Sequence, residues 1–122
     1  MPNHVRQAYG PGWALVGDAG YHRDAITGHG ISDAFRDAEL LARALDRALG
    51  GVADEADALA SYQRQRDALL RETYHITCAL SEYPEPGRFV QLQRQLAEAI
   101  DTEARFLASL PAAAAPIEEV AA

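Results

Sequence analysis

Two short clusters in the first third of the chain have residue types and spacing suited to ligand chemistry: Gly17-Asp18-Ala19-Gly20-Tyr21-His22 and Gly28-His29-Gly30-Ile31. An aspartate at the end of a strand accepts hydrogen bonds from hydroxyl groups and repels phosphate, so Asp18 suits a sugar or polyol. The second cluster opens a helix-like pattern. A helix start presents unpaired N–H groups and a positive partial charge, which stabilise a ligand edge that carries or develops negative charge. Gly28 and Gly30 lack Cβ atoms there, so a ligand can approach the backbone closely. Together the clusters describe a site for a polyol joined to an anion-prone ring. Taken generically, a Gly-Asp-Ala tripeptide is also an ordinary turn whose aspartate caps local backbone.

The flanking segments would position these residues. Trp13-Ala14-Leu15-Val16 feeds the first cluster, and 13–17 reads as one short strand. Its apolar residues do not alternate, which suits a parallel strand covered on both faces, and the chain offers no second convincing strand. Residues 18–29 read as a Gly/Asp loop, and Tyr9-Gly10-Pro11-Gly12 as a turn. A helix over about 30–49 follows. Ile31, Ala34, Phe35, Ala38, Leu41, Ala42, Leu45 and Leu49 make its apolar face, and Asp33 and Asp37 sit near its positive end. Gly50-Gly51 stops it.

A second helix spans about 54–82, with Asp54 as N-cap and Asp57 at the third helical position. Its stripe is Leu59, Tyr62, Leu69, Leu70, Thr73, Ile76, Thr77 and Leu80, and Gln63-Arg64-Gln65-Arg66-Asp67 reads as a solvated face. Tyr83-Pro84-Glu85-Pro86-Gly87 breaks it. A third helix, about 87–109, carries its apolar face on Phe89, Leu92, Leu96, Ile100 and Leu107. The fold class is therefore mainly α: three helices and one short N-terminal strand. The Ala-rich stretch 111–122 is expected to be a flexible tail.

Composition narrows the function classes. The 122 residues allow one domain with a modest core. A net charge of −7 argues against nucleic-acid backbones and anionic membrane surfaces as partners. Every basic residue is arginine, which removes lysine from any catalytic role. The single cysteine, Cys78, excludes an intrachain disulfide and reads as a buried, reduced thiol. His4, His22, His29 and His75 have no metal-ligand spacing, and His22 reads as structural. No signal core or bilayer-length apolar run is present, so a cytoplasmic protein is the default expectation.

The run Gly17-Asp18-Ala19-Gly20-Tyr21-His22, continued by Ile26-Thr27-Gly28-His29-Gly30-Ile31-Ser32-Asp33-Ala34-Phe35-Arg36-Asp37-Ala38-Glu39-Leu40-Leu41-Ala42, resembles the second flavin-binding signature of FAD-dependent monooxygenases. This is the class built like para-hydroxybenzoate hydroxylase, with its related oxidoreductases. The likeness is strong over about residues 10–50 and looser through the later helices. It implies that Gly17, Asp18 and Ala19 face the ribityl chain of FAD, with Asp18 accepting a ribityl hydroxyl. It implies that Gly28, His29, Gly30 and Ile31 turn their backbone N–H groups to the flavin pyrimidine edge, where the helix dipole favours the charge of reduced flavin. In that family reduced flavin reacts with dioxygen and oxygenates an organic substrate, with NAD(P)H as reductant.

Two departures accompany the resemblance. Ala25 stands where family members commonly carry proline. The Gly-x-Gly-x-x-Gly turn that binds the FAD pyrophosphate, and the strands around it, are not in this sequence. Residues 1–110 are thus expected to form a single partial domain: the C-terminal part of an FAD-binding fold with its helical region. The expected function is a fragment or subunit of a flavin-dependent monooxygenase that supplies half of an FAD site and is not competent alone. No catalytic residue is assigned. The alternative is a helical interaction or oligomerisation module that has lost flavin. Without the rest of the fold, the strand edge at Trp13–Val16 and the helix face Ile31–Leu49 should be exposed. A homo-oligomer or a complementary FAD-domain chain is then the expected partner.

Overall fold

A computed structural model describes residues 2–112. Three helices dominate it: α1 (Gly30–Leu49), α2 (Glu55–Ser81) and α3 (Pro86–Ser109). Ahead of them, among the described residues, lie four two-residue strands: β1 (His4–Val5), β2 (Tyr9–Gly10), β3 (Trp13–Ala14) and β4 (Tyr21–His22). The fold is mainly α, with three helices at the expected places.

Local chemistry sets the helix ends. Gly51 takes a φ of 74° just after α1, a left-handed conformation that stops the helix cheaply only at glycine. The Asp54 carboxylate accepts from Ala56 N at 3.1 Å and caps α2. The Glu85 carboxylate accepts from Gly87 N at 2.9 Å and from Arg88 N, and Pro86 occupies the first helical position of α3.

The N-terminal segment departs from expectation. The strand expected over 13–17 is confined to Trp13–Ala14, and it pairs antiparallel with β2 across the Pro11-Gly12 turn. Gly12 takes a φ of 75° there. Gly17–Ala19 is a 3-10 turn, and β4, inside the expected loop, pairs with β1 near the N-terminus, His4 opposite His22 and Val5 opposite Tyr21. Both pairings are antiparallel, so the parallel arrangement is corrected. Trp13 is exposed and caps Gly10, where a Cβ would stand 2.5 Å from the indole.

Helix α2 is the central element, packed by both α1 and α3. One apolar cluster joins Leu40 and Ala44 of α1 to Ala58 and Tyr62 of α2 and to Ala8. A second joins Ile76 and Leu80 of α2 to Leu92, Leu96 and Ala99 of α3. Two expectations change here. Arg66, inside the stretch read as solvated, is fully buried. Cys78 is a free thiol only partly buried, and it accepts from Asn3 Nδ2 at 3.4 Å. The tail expected over 111–122 lies, except for Pro111 and Ala112, outside the described residues.

Helix α1 turns its charged side inward. Asp33, Arg36, Asp37, Leu40 and Ala44 are buried, while Ile31, Phe35 and Leu49 are 76, 74 and 87 % exposed. Of the apolar surface expected to lie open, Ile31, Phe35, Leu45, Leu49 and Trp13 are exposed, whereas Leu41, Ala14 and Val16 pack partly buried against the first apolar cluster. No helix of the described residues is long and apolar enough to cross a membrane.

Candidate functional site

The two glycine clusters come together around one groove of about 830 Å³. Gly17, Asp18 and Ala19 form one wall, and Gly28, His29, Gly30 and Ile31 form the other. All seven residues singled out in the sequence line it. Ala34, Phe35 and Ala38 of α1 continue its floor as an apolar strip.

Backbone conformation opens the second wall. Asp24 accepts from Ile26 N at 2.9 Å and starts a 3-10 turn over Ala25–Thr27, which closes with Gly28 N donating to Ala25 O at 3.0 Å. Gly28 then takes a φ of 67°, and a Cβ there would meet nothing within 4 Å. No side chain caps the N-terminus of α1, whose first ladder bond runs from Asp33 N to His29 O at 2.9 Å. A Cβ built on Gly30 would stand 4.0 Å from Asp18 Oδ1. The exposed carboxylate of Asp18 thus faces the helix start across a gap free of side chains on that side. An acceptor for hydroxyls lies beside a positive backbone edge, with Ala34, Phe35 and Ala38 lining the same groove.

Behind the groove a buried ionic network fixes both walls. Asp37 Oδ2 accepts from Gly17 N at 2.9 Å, which ties the Asp18 turn to α1. Asp37 Oδ1 accepts from Arg36 Nε at 3.0 Å and Nη2 at 2.8 Å. Arg36 also reaches Asp33 at 3.2 Å, Glu103 of α3 at 3.1 Å, and the Tyr21 hydroxyl at 2.8 Å. Arg23, just past the first cluster, pairs with Asp33. The Tyr21 ring lies between two guanidinium groups, 6.0 Å from Arg36 and 5.8 Å from Arg66. Arg66 in turn donates to Asp67 Oδ1 and to the carbonyl of Arg6.

The electrostatics follow from burial. Burial pushes the Tyr21 phenol well above its ordinary range, against the pull of Arg36. Burial also raises the Asp33 carboxyl, with Arg36 and Arg23 opposing. For Arg36 burial works against the charge, but Asp37, Tyr21, Glu103 and Asp33 outweigh it and hold the guanidinium protonated. The network is a fixed frame of charge behind the groove.

Sequence reasoning placed the lining residues and missed the frame. Sequence position alone puts Asp33 and Asp37 at the positive end of the helix and gives Arg36, Arg23, Tyr21 and Glu103 no role. A signal was present: Asp33, Arg36 and Asp37 share one face at i, i+3 and i+4, opposite the apolar one. His22 is half-buried, stacks on His4 with centroids 5.9 Å apart, and also lines the groove.

Compared with protein-family models, with curated proteins and with solved structures, the chain matches none.

Proposed function

We propose that this chain supplies the ribityl- and ring-facing half of an FAD site in a flavin-dependent monooxygenase or related oxidoreductase. A complementary nucleotide-binding part supplies the rest. The supporting observation is the convergence of Asp18 and the uncapped start of α1 on one groove whose walls are open at Gly28 and Gly30. Those residues fit the polyol and ring portions of a flavin. Asp18 would hold a ribityl hydroxyl, and the backbone of Gly28–Ile31 would meet the electron-rich ring edge. Ile31, Ala34 and Phe35 offer apolar surface to the ring. When bound, FAD supplies the redox chemistry, with NAD(P)H as the source of electrons, and the protein binds and orients it. The exposed face of α1 is the natural seat for the complementary part, which makes the described chain half of a catalytic unit.

The test is an FAD titration of the full chain, alone and with a separately expressed dinucleotide-binding domain, followed by flavin fluorescence. Saturable quenching that Asp18→Ala weakens about tenfold or more, the loss of one hydrogen bond to a charged group, supports the reading. Quenching identical in wild type and Asp18→Ala, or none in either mixture, defeats it.

A further inference from the structure

The apolar face of α1 has a symmetry of its own. Its outward residues are Ile31, Phe35, Ala38, Ala42, Leu45 and Leu49. At 3.6 residues per turn they fall within an arc of about 80°. Their sizes run large, large, small, small, large, large. Ile31 and Leu49, Phe35 and Leu45, and Ala38 and Ala42 are each equidistant from position 40. A helix so patterned is complementary to itself when turned end for end, the requirement of an isologous two-fold interface. We infer that a second copy of this chain docks on this face, with the two α1 helices antiparallel and crossing near Leu40.

Area favours that occupant. With Ile31, Phe35 and Leu49 exposed to 76, 74 and 87 % and Leu45 to 37 %, the stripe offers roughly 600 Å² per copy, near the ~800 Å² per partner of a standard interface. The small central residues let the helix axes approach, and each Ile31/Phe35 end covers the Leu45/Leu49 end of the other copy. Ile31, Phe35 and Ala38 also line the groove, so a second copy and a nucleotide-binding partner compete for one surface. This inference goes beyond the flavin reading and does not depend on it.

Light scattering of the full chain after gel filtration should give the mass of two chains. Phe35→Glu, at a position exposed in the single chain, should give the mass of one with unchanged helical circular dichroism. Orientation is read by disulfide trapping in a Cys78→Ser background. A mixture of Ala38→Cys and Ala42→Cys proteins should form mixed 38–42 crosslinks in preference to 38–38 or 42–42. In the antiparallel pair like positions are about 6 Å apart along the axis before helix separation is added, beyond easy disulfide reach. A monomeric wild type, a Phe35→Glu protein that stays dimeric, or a predominance of 38–38 and 42–42 crosslinks overturns the inference.

Discussion

The amide of Gly17 donates to the carboxylate of Asp37 at 2.9 Å, joining two residues 20 positions apart. One residue past Gly17 is Asp18, the carboxylate that faces the groove. One residue before Asp37 is Arg36, which grips Tyr21, Asp33 and Glu103. The bond therefore couples the turn that carries the candidate ligand group to the buried charge network, and through Glu103 to α3.

Breaking that coupling should be costly in a way that depends on what replaces the carboxylate. Asp37→Ala leaves the Gly17 amide without its acceptor and removes the closest carboxylate from buried Arg36. The expected loss is about 3–5 kcal/mol, the cost of orphaning one member of a buried ion pair. Asp37→Asn keeps an oxygen for Gly17 N–H but gives up the charge and sets its NH2 against the Arg36 Nε and Nη2 donors, so it should lose somewhat less, about 2–4 kcal/mol. Urea unfolding followed by circular dichroism measures both. Equal losses for the two variants would show that the carboxylate does not act on Gly17 and Arg36 as described.

The helix limits were legible because single residues set them. Gly50-Gly51, Asp54 and the Pro84–Pro86 break each act within one turn of the chain. The orientation of α1 followed less directly. Periodicity places Ile31, Phe35 and Leu45 on one side and Asp33, Arg36 and Asp37 on another, but it does not say which side meets the core. That is settled by Tyr21, Arg23 and Glu103, which arrive from elsewhere and satisfy the charges. Arg66 was opaque for the same reason: its partners include the carbonyl of Arg6, 60 positions away. The two-residue strands carry too little pattern to read, and β1 finds β4 only after the intervening chain has folded back. The groove lining was legible because glycines and an aspartate mark it locally. The frame behind it was not, because it is built from long-range ion pairs.

Two glycines should respond differently to the same methyl group. Gly20 has an ordinary φ of −90°, but a Cβ there would stand 2.8 Å from Nη1 of the fully buried Arg66. Gly20→Ala should cost about 1–3 kcal/mol by overpacking. Gly28 has open space around its missing Cβ and a φ of 67°. Gly28→Ala should cost about 1–2 kcal/mol from backbone conformation alone. Truncating Arg66 to Ala tells the mechanisms apart in a double-mutant cycle. The Gly20→Ala penalty should largely vanish in that background, and the Gly28→Ala penalty should stay. Full additivity at Gly20 would remove the steric explanation.

The Tyr62 hydroxyl donates to Leu15 O at 2.7 Å and anchors the segment leading into the first cluster. Tyr62→Phe should cost about 1–2 kcal/mol, because the Leu15 carbonyl loses its donor in a partly buried place. Hydrogen exchange should then accelerate at Leu15 N, which donates to Ala8 O at 2.7 Å, while exchange in α3 changes only with global stability. A uniform acceleration across the chain would assign Tyr62 to general packing and not to this anchor.

Alkaline pH should unfold the chain cooperatively, and the sign follows from the two buried phenols. Burial raises both Tyr21 and Tyr62 well above the ordinary phenol range, with Arg36 opposing at Tyr21 and Arg66 at Tyr62. Above pH ~10 the unfolded chain releases protons from both groups while the folded chain keeps them. The folded state then binds more protons, so stability falls as pH rises. The contribution is fully present below the ordinary phenol pKa and is lost above it, at about 1.4 kcal/mol per pH unit for each phenol. Of the five tyrosines, the share of tyrosinate absorbance that belongs to Tyr21 and Tyr62 should rise together with the loss of helical circular dichroism, because these two ionise only as the fold opens. In Tyr62→Phe the slope of stability against pH in this range should become clearly shallower. A slope unchanged by that substitution, or full tyrosinate signal with the helices intact, would show that these phenols are not held neutral by the fold.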